Sequence, residues 1–201
     1  IDALAGNVTA NADLRSGTGQ ITLKADDNIT LAAAVDIATA STGTVSLDAE
    51  TGTLTMDGTA TILASASSAR LRAQGNITVG NVTATNVSLL TTAGSIINAT
   101  GSTKNVTATN LRLQAQGSIG TSARHLTTNL DNVTALASTG AIYVTEDNAV
   151  TVRDVAVSVT DFTSTAGTAA VNDASQSDLR TGLNGNIVLV ATLGDITLTD
   201  G

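Results

Sequence analysis

One short pattern recurs through the chain and constrains its fold more than any other feature. A Gly is followed two residues later by Ile, Val or Leu, and in most copies by another aliphatic side chain two residues further on. Most successive copies lie 19 to 24 residues apart. This period is typical of solenoids, in which each repeat stacks on its neighbours. The pattern begins at Gly19, Gly43, Gly52, Gly75, Gly140, Gly185 and Gly194, and its first half begins at Gly94 and Gly117.

Longer stretches also repeat, which indicates duplication of one structural unit. The segment at 81–86 recurs identically at 105–110, and the segment at 71–77 resembles the one at 113–119. Within each unit the aliphatic residues alternate with Thr, Ser or Asn, which is the period of a strand with one dry and one wet face. The Gly before each strand is expected to supply a turn with positive φ.

Units of this size cannot bury an apolar face alone, so we expect strands to pair from coil to coil around an aliphatic axis. The composition agrees, because the chain has one Phe, one Tyr, no Trp and no Pro. A narrow interior has little room for rings, and Pro cannot donate a hydrogen bond to a neighbouring coil. The sequence therefore predicts an all-β solenoid of about nine coils, each with 19 to 24 residues.

Charge and cysteine content exclude several classes of protein. Nine basic and seventeen acidic residues give a net charge of −8, so we predict no nucleic-acid partner. No apolar run approaches the roughly 18 residues that span a bilayer, so we predict no membrane insertion. Without cysteine the chain has no disulfide framework and no thiolate metal site.

The Gly-x-Ile-x-Leu units, with their Asn-Val-Thr and Asn-Ile-Thr steps, resemble the shaft of filamentous haemagglutinin-type adhesins, the large exoproteins of two-partner secretion. The resemblance covers most of residues 6–160 and 182–200. It implies a right-handed parallel β-helix on the bacterial surface or secreted from the cell, acting as a non-catalytic stalk and adhesin. The implied partners are a host or bacterial surface glycan or protein, and flanking coils of the same chain.

The chain begins Ile1-Asp2-Ala3, without an initiator Met, so we expect residues 1–201 to be a single β-helical segment of a longer protein. Two stretches depart from the repeat. Residues 145–162 alternate densely in Val, with Arg153-Asp154 between two runs, and predict two strands and a corner. Residues 163–184 are small and polar and predict a loop outside the coil.

No residue pattern in the chain predicts a catalytic, cofactor or metal site. His125 is the only histidine and has no HExxH or Cys partner, so an ordinary turn or surface position is expected. The adjacent acids at Asp26-Asp27 and Glu146-Asp147 would point to opposite faces of a strand, which disfavours a shared ion. The two rings, Tyr143 and Phe162, are expected to fill a gap in the coil or lie under the loop.

Asn-x-Ser/Thr sequons are frequent. Each can be a glycan acceptor, or simply an Asn that ends a turn before the wet face of a strand, where stacked Asn side chains form hydrogen-bonded ladders between coils. The candidate acceptors are Asn7, Asn28, Asn76, Asn81, Asn86, Asn98, Asn105 and Asn132.

Two alternatives to an adhesive shaft stay open at this point. A polysaccharide lyase or hydrolase on the same fold would need several charged side chains converging on one face of the coil. A face of uniform Thr, Ser and Asn would favour a shaft. The stalk of a contact-dependent toxin-delivery exoprotein would have the same repeat and is not distinguished from an adhesin by this sequence.

Overall fold

The computed structural model describes residues 1–162 and 167–199, and within these residues it contains strands and turns but no helix. Consequently no helix long and apolar enough to cross a membrane occurs in the described part of the chain. The strands are β1 (Asp2–Ala3), β2 (Val8–Ala10), β3 (Leu14–Ser16), β4 (Ile21–Ala25), β5 (Ile29–Leu31), β6 (Asp36–Thr39), β7 (Val45–Ala49), β8 (Leu54–Met56), β9 (Thr61–Ala73), β10 (Ile77–Val79), β11 (Asn81–Thr91), β12 (Ile96–Asn98), β13 (Val106–Ala115), β14 (Leu126–Ala137), β15 (Ile142–Glu146), β16 (Val150–Val152), β17 (Val155–Phe162), β18 (Thr168–Gln176), β19 (Leu179–Thr181), β20 (Ile187–Ala191) and β21 (Ile196–Leu198).

These strands stack as a β-solenoid of about seven turns, which confirms the predicted all-β, parallel fold. Strands from successive coils pair in parallel along two sheets, one of 14 strands and one of five strands in the order β12-β10-β8-β5-β2. The antiparallel pair of β17 and β18 forms a separate two-stranded sheet. The pairing partners lie about one repeat apart in sequence, as stacked coils require.

An aliphatic column runs through the stack because the coils pair in register. Leu47 pairs with Leu71, Leu71 with Leu89, and Leu89 with Leu113, and all four side chains are fully buried. A second inward column flanks it and consists of Ile21, Val45, Ala69, Val87, Leu111 and Val133. The described buried core contains no aromatic residue. This agrees with the expectation that a narrow interior has little room for rings.

The structure has about seven turns where the repeat predicted nine. The repeat glycines occupy two places in a coil. Gly43 precedes β7 and Gly52 precedes β8, and these strands belong to the same turn. In addition, residues 155–176 leave the stack as a hairpin and contribute no coil. The repeat glycines therefore overcount the coils, and the hairpin takes chain length that the repeat had assigned to a coil.

The repeat glycines serve a different purpose from the predicted one. Among them only Gly194 has a positive φ. All of the others except Gly19 lie where backbones of adjacent coils approach too closely for a side chain. A Cβ on Gly94 would lie 2.3 Å from the carbonyl carbon of Gly75, and one on Gly185 would lie 2.0 Å from the carbonyl oxygen of Gly140. Close packing of coils, and not turn conformation, therefore requires Gly at these positions.

We predict that Gly94→Ala lowers the free energy of unfolding by about 1 to 3 kcal/mol, because the added methyl group overpacks the contact between two coils. Gly17→Ala is the matched control, since a Cβ there meets no atom within 4 Å and φ is not positive. The measurement is urea unfolding followed by circular dichroism. Equal midpoints for the two variants would contradict the close-packing explanation.

The structure confirms the two strands and the corner expected in residues 145–162. Val150–Val152 and Val155–Phe162 are strands, with Arg153 and Asp154 exposed between them. The first strand, β16, pairs with β14 and β21 and belongs to the coil. The second strand, β17, leaves the coil and pairs with β18 alone among the described strands. The corner is therefore the point where the chain departs from the solenoid.

Candidate functional site

The most unusual surface of the molecule is a face of the large sheet on which outward side chains are buried. One outward column runs across six consecutive coils in register. Outward residues of a solenoid normally contact solvent, yet every member of this column is at most 7% exposed. The outer column consists of Thr22, Ser46, Arg70, Ser88, Arg112 and Thr134.

The outer column is covered by the hairpin of β17 and β18. Val155, Val157 and Val159 of β17 are buried, while the alternate residues Ala156 and Ser158 are exposed. This period of two is what a strand lying flat on a surface produces. Strand β17 contacts β4, β7, β9, β11, β13 and β14, so it crosses successive coils of the stack.

This arrangement differs from the predicted loop at 163–184. Residues 168–176 form strand β18, and residues 179–181 form β19, which has already rejoined the coil beside β14. Residues 163–166 lie outside the described part of the chain. The polar composition of β18 misled the prediction, because this strand exposes most of its residues and has little aliphatic alternation.

Polar contacts fix one end of the hairpin to the first coils. The Ser46 hydroxyl donates to Asp161 Oδ2 at 3.3 Å, and Lys24 Nζ lies 3.7 Å from the same oxygen. Thr44 Oγ1 donates to the Thr160 carbonyl at 3.0 Å and accepts from its N–H at 3.1 Å. These contacts join residues more than 100 positions apart in sequence, so they define a tertiary interface.

A buried ion pair lies near the middle of the interface. Arg70 Nε donates to both carboxylate oxygens of Asp173, at 3.1 and 3.0 Å, and both side chains are 6% exposed. Asp48 extends the network, with Oδ2 3.8 Å from Arg70 Nη1 and Oδ1 2.6 Å from Arg72 Nη1. Asp173 therefore compensates the charge of an arginine that the hairpin removes from water.

Arg112 anchors the other end of the hairpin differently. Its Nε donates to the Ala174 carbonyl at 2.9 Å, and its Nη2 donates to Gln114 Oε1 at 2.6 Å. Gln176 Nε2 donates to the Leu113 carbonyl at 2.9 Å. Burial lowers the pKa of Arg112, and the nearby negative charge of Asp173 offsets this effect only in part. All hydrogen-bond acceptors of Arg112 in the described residues are neutral.

Buried polar atoms without a partner concentrate beneath the hairpin. Five such side-chain atoms occur in the described residues, and four of them lie at this interface: Thr22 Oγ1, Ser88 Oγ, Arg112 Nη1 and Gln176 Oε1. Folded proteins satisfy nearly all buried polar groups, so a cluster of exceptions marks a place where a water or ligand fits. Sequence analysis missed this surface, because Arg70 and Arg112 lie in ordinary strand repeats that carry no special motif.

The candidate glycan acceptors form hydrogen bonds between coils. At one turn, Asn7 Oδ1 accepts from the N–H of Asn28 at 3.0 Å, and Asn28 Oδ1 accepts from the N–H of Thr53 at 2.8 Å. Asn76 Oδ1 accepts in the same way from the N–H of Ser95 at 2.8 Å. Asn at this turn therefore satisfies a backbone donor of the next coil.

A second set forms the amide ladder that the repeat suggested. Asn132 Nδ2 donates to Asn110 Oδ1 at 2.9 Å, Asn110 Nδ2 donates to Asn86 Oδ1 at 2.8 Å, and Asn86 Nδ2 donates to Ser68 Oγ at 3.3 Å. Three further candidate glycosylation sites donate hydrogen bonds to backbone carbonyls of other coils. Asn81 donates to Gly58, Asn98 to His125, and the fully buried Asn105 to Val79.

We predict that any N-linked sugar on this protein is confined to Asn7 and Asn76. Both are exposed, whereas the Nδ2 atom of each of the other six candidates already donates a hydrogen bond. The measurement is peptide mapping by mass spectrometry after expression in a host that modifies Asn-x-Ser/Thr. The doubly substituted Asn7→Gln/Asn76→Gln chain should carry no sugar, and a glycopeptide containing Asn105 would contradict the prediction.

The other residues considered as candidate sites make contacts within the fold. His125 packs against Tyr143, with ring centroids 5.6 Å apart, and its Nδ1 lies 2.8 Å from Thr145 Oγ1. Phe162 is half-buried, and its carbonyl accepts from Lys24 Nζ at 3.3 Å. Asp26 and Asp27 are half-buried in the turn after β4, where the Asp26 carbonyl accepts from Thr51 Oγ1 at 2.7 Å.

The two side chains of the second acidic pair, Glu146 and Asp147, lie in different environments. The carboxylate of Glu146 is fully buried and accepts from Thr128 Oγ1 at 2.6 Å and from the N–H of Leu130 at 3.0 Å. Asp147 instead forms an ion pair with Lys104 at the surface. Across residues 1–162 and 167–199 no group of three or more His, Cys, Asp or Glu side chains is placed to hold a metal ion.

Comparison of the chain with protein-family models, with curated proteins and with solved structures finds no match. Function is therefore inferred from the solenoid, the hairpin and the outer column.

Proposed function

We propose that this chain is a structural and adhesive segment of a secreted or surface-exposed bacterial filamentous adhesin, acting as a non-catalytic shaft. The main support is the continuous stack itself. Aliphatic columns, backbone pairing and Asn contacts pass from coil to coil in register. Such a stack gains length by adding coils at about 4.8 Å each, so seven turns extend about 34 Å.

The charged face supports a structural role more than a catalytic one. Arg70, Arg72, Asp48 and Asp173 converge within ion-pair distance, as an enzyme cleft would require. However, these groups bind one another beneath the hairpin, and Arg70 and Asp173 are almost inaccessible to solvent. A polysaccharide lyase or hydrolase needs its charged groups open to a long substrate.

The ends of the stack support flanking coils as partners. Around the last described coil, Leu183, Ile196 and Leu198 are exposed, and around the first coil Ile1 and Leu4 are exposed. Solenoids normally cover such ends with a polar capping repeat. Further coils of the same chain would bury these side chains and continue the parallel pairing of β1 and β21. The resemblance to filamentous haemagglutinin-type shafts supports the same arrangement.

The proposal is tested by offering the protein a panel of acidic and neutral polysaccharides together with a surface-glycan and matrix-protein array. We expect retention on surface glycans or proteins and no new reducing or unsaturated sugar ends. Asp173→Ala, which opens the charged face, is the matched variant. The shaft proposal would be overturned in favour of an enzyme if new sugar ends accumulated with the wild-type protein and at a changed rate with this variant.

A further inference from the structure

Arg112 is a buried guanidinium group without a carboxylate partner. The residue is only 7% exposed, and the ion pairs in the described residues do not include it. Nε and Nη2 donate to a carbonyl and an amide oxygen, whereas Nη1 has no acceptor. Arginine does not lose its proton in proteins, so this positive charge persists beneath the hairpin.

The neighbouring charges do not balance Arg112. The network beside it contains two cations, Arg70 and Arg72, and two anions, Asp48 and Asp173, so its net charge is zero. Asp173 attracts Arg112, but both of its oxygens already accept from Arg70. The five groups together carry one uncompensated positive charge. Buried charges are normally paired because an unpaired one is costly, so a bound counter-ion would stabilise this network.

Ser88 provides a second donor beside Arg112. The two residues are direct partners in adjacent strands, so their outward side chains lie side by side, with backbones about 4.8 Å apart. Ser88 is 0% exposed and its hydroxyl has no hydrogen-bond partner in the described residues. A hydroxyl and a guanidinium N–H that both lack an acceptor form a donor pair suited to an anion.

We propose that a small monovalent anion of the halide class binds beneath the hairpin, between Arg112 Nη1 and Ser88 Oγ, and holds β18 on the sheet. One negative charge balances the network, and two neighbouring unpaired donors supply its ligands. We choose a monatomic ion because Arg70 and Thr134 occupy the positions on either side of this donor pair in the outer column. The hairpin contact at the Ala174 carbonyl is then stabilised by the same guanidinium that binds the ion.

Chloride is the probe, and amide hydrogen exchange of residues 168–176 is the readout. Wild-type protein is compared in sodium chloride and in sodium gluconate at equal ionic strength. Chloride at about ten times its dissociation constant should slow exchange of the hairpin about tenfold, because it binds only the closed form. Exchange of amides in the aliphatic column should not change.

Ser88→Ala separates a bound anion from an empty interface. In gluconate this variant should be as stable as the wild type or slightly more stable, since it removes an unsatisfied hydroxyl. In chloride it should lose most of the tenfold protection. Thr22→Val is the matched control, because Thr22 Oγ1 is equally buried and unpaired but lies four coils away in the outer column, about 19 Å from Arg112.

Crystals grown in bromide give the position of the ion directly. We expect an anomalous peak within hydrogen-bond distance of Arg112 Nη1 that is absent from Ser88→Ala crystals. Three results would overturn the proposal: a hairpin indifferent to chloride, an equal chloride response in Ser88→Ala, or bromide found only at exposed cations such as Arg153 and Arg180 while water occupies the site.

Discussion

Replacing Leu89 by Ala is expected to lower the free energy of unfolding by about 2 to 5 kcal/mol. Leu89 is fully buried and lies between Leu71 and Leu113 in the aliphatic column. Backbone hydrogen bonds on both sides hold these coils at a fixed spacing, so the structure cannot collapse into the cavity. The large cost follows from this rigidity, because a cavity that persists adds to the lost transfer energy.

Chemical denaturation followed by circular dichroism measures this effect. Leu63→Ala is the matched control, because Leu63 lies in β9 of the same solenoid but is 40% exposed. We expect the control to lose less than about 1 kcal/mol, as is usual for substitutions away from the core. If the two variants were equally destabilised, the continuous dry column could not be the main source of stability.

Asp173→Ala is expected to release the hairpin at a cost of about 3 to 5 kcal/mol. The substitution leaves the guanidinium of Arg70 buried without its bidentate partner. The hairpin is also the element with the fewest connections to the rest of the sheet, since β18 pairs only with β17 among the described strands. The loss should therefore appear as local opening, with faster proteolysis and hydrogen exchange in residues 155–176 and an intact solenoid.

Two further variants isolate the ion pair. Asp13→Ala removes a partner of the exposed Arg15, and it should leave hydrogen exchange of the hairpin unchanged. The double variant Arg70→Met/Asp173→Ala removes both buried charges and should recover much of the hairpin protection lost in Asp173→Ala. Unchanged hairpin exchange in Asp173→Ala would contradict the interface described for this face.

The sequence predicted the coil because local alternation and global stacking agree in this fold. Ile-x-Leu steps, Gly at the turns and Asn-x-Thr motifs each describe one coil, and repetition places them in register. The role of Gly94 could not be predicted in the same way. A close approach of two backbones depends on how two coils pack, whereas a turn depends on the conformation of one coil. Both favour glycine, so the sequence of one repeat does not distinguish them.

The hairpin was only partly predictable, because its interface joins residues with no local relation. The Val155, Val157 and Val159 alternation correctly predicted a strand, but nothing nearby in sequence indicates that it crosses six coils. The burial of Arg70 and Arg112 depends on this crossing. In a single repeat an arginine on the wet face of a strand indicates a solvated side chain, and the tertiary cover reverses that expectation.

Methyl NOE spectroscopy on selectively labelled protein tests the stacking of coils most directly. We expect strong cross-peaks for Leu47–Leu71, Leu71–Leu89 and Leu89–Leu113, residues that are 18 to 24 positions apart in sequence and paired in register. A folded protein with dispersed resonances that lacks these three cross-peaks, and instead shows contacts between antiparallel neighbouring strands, would contradict the solenoid and every inference drawn from it.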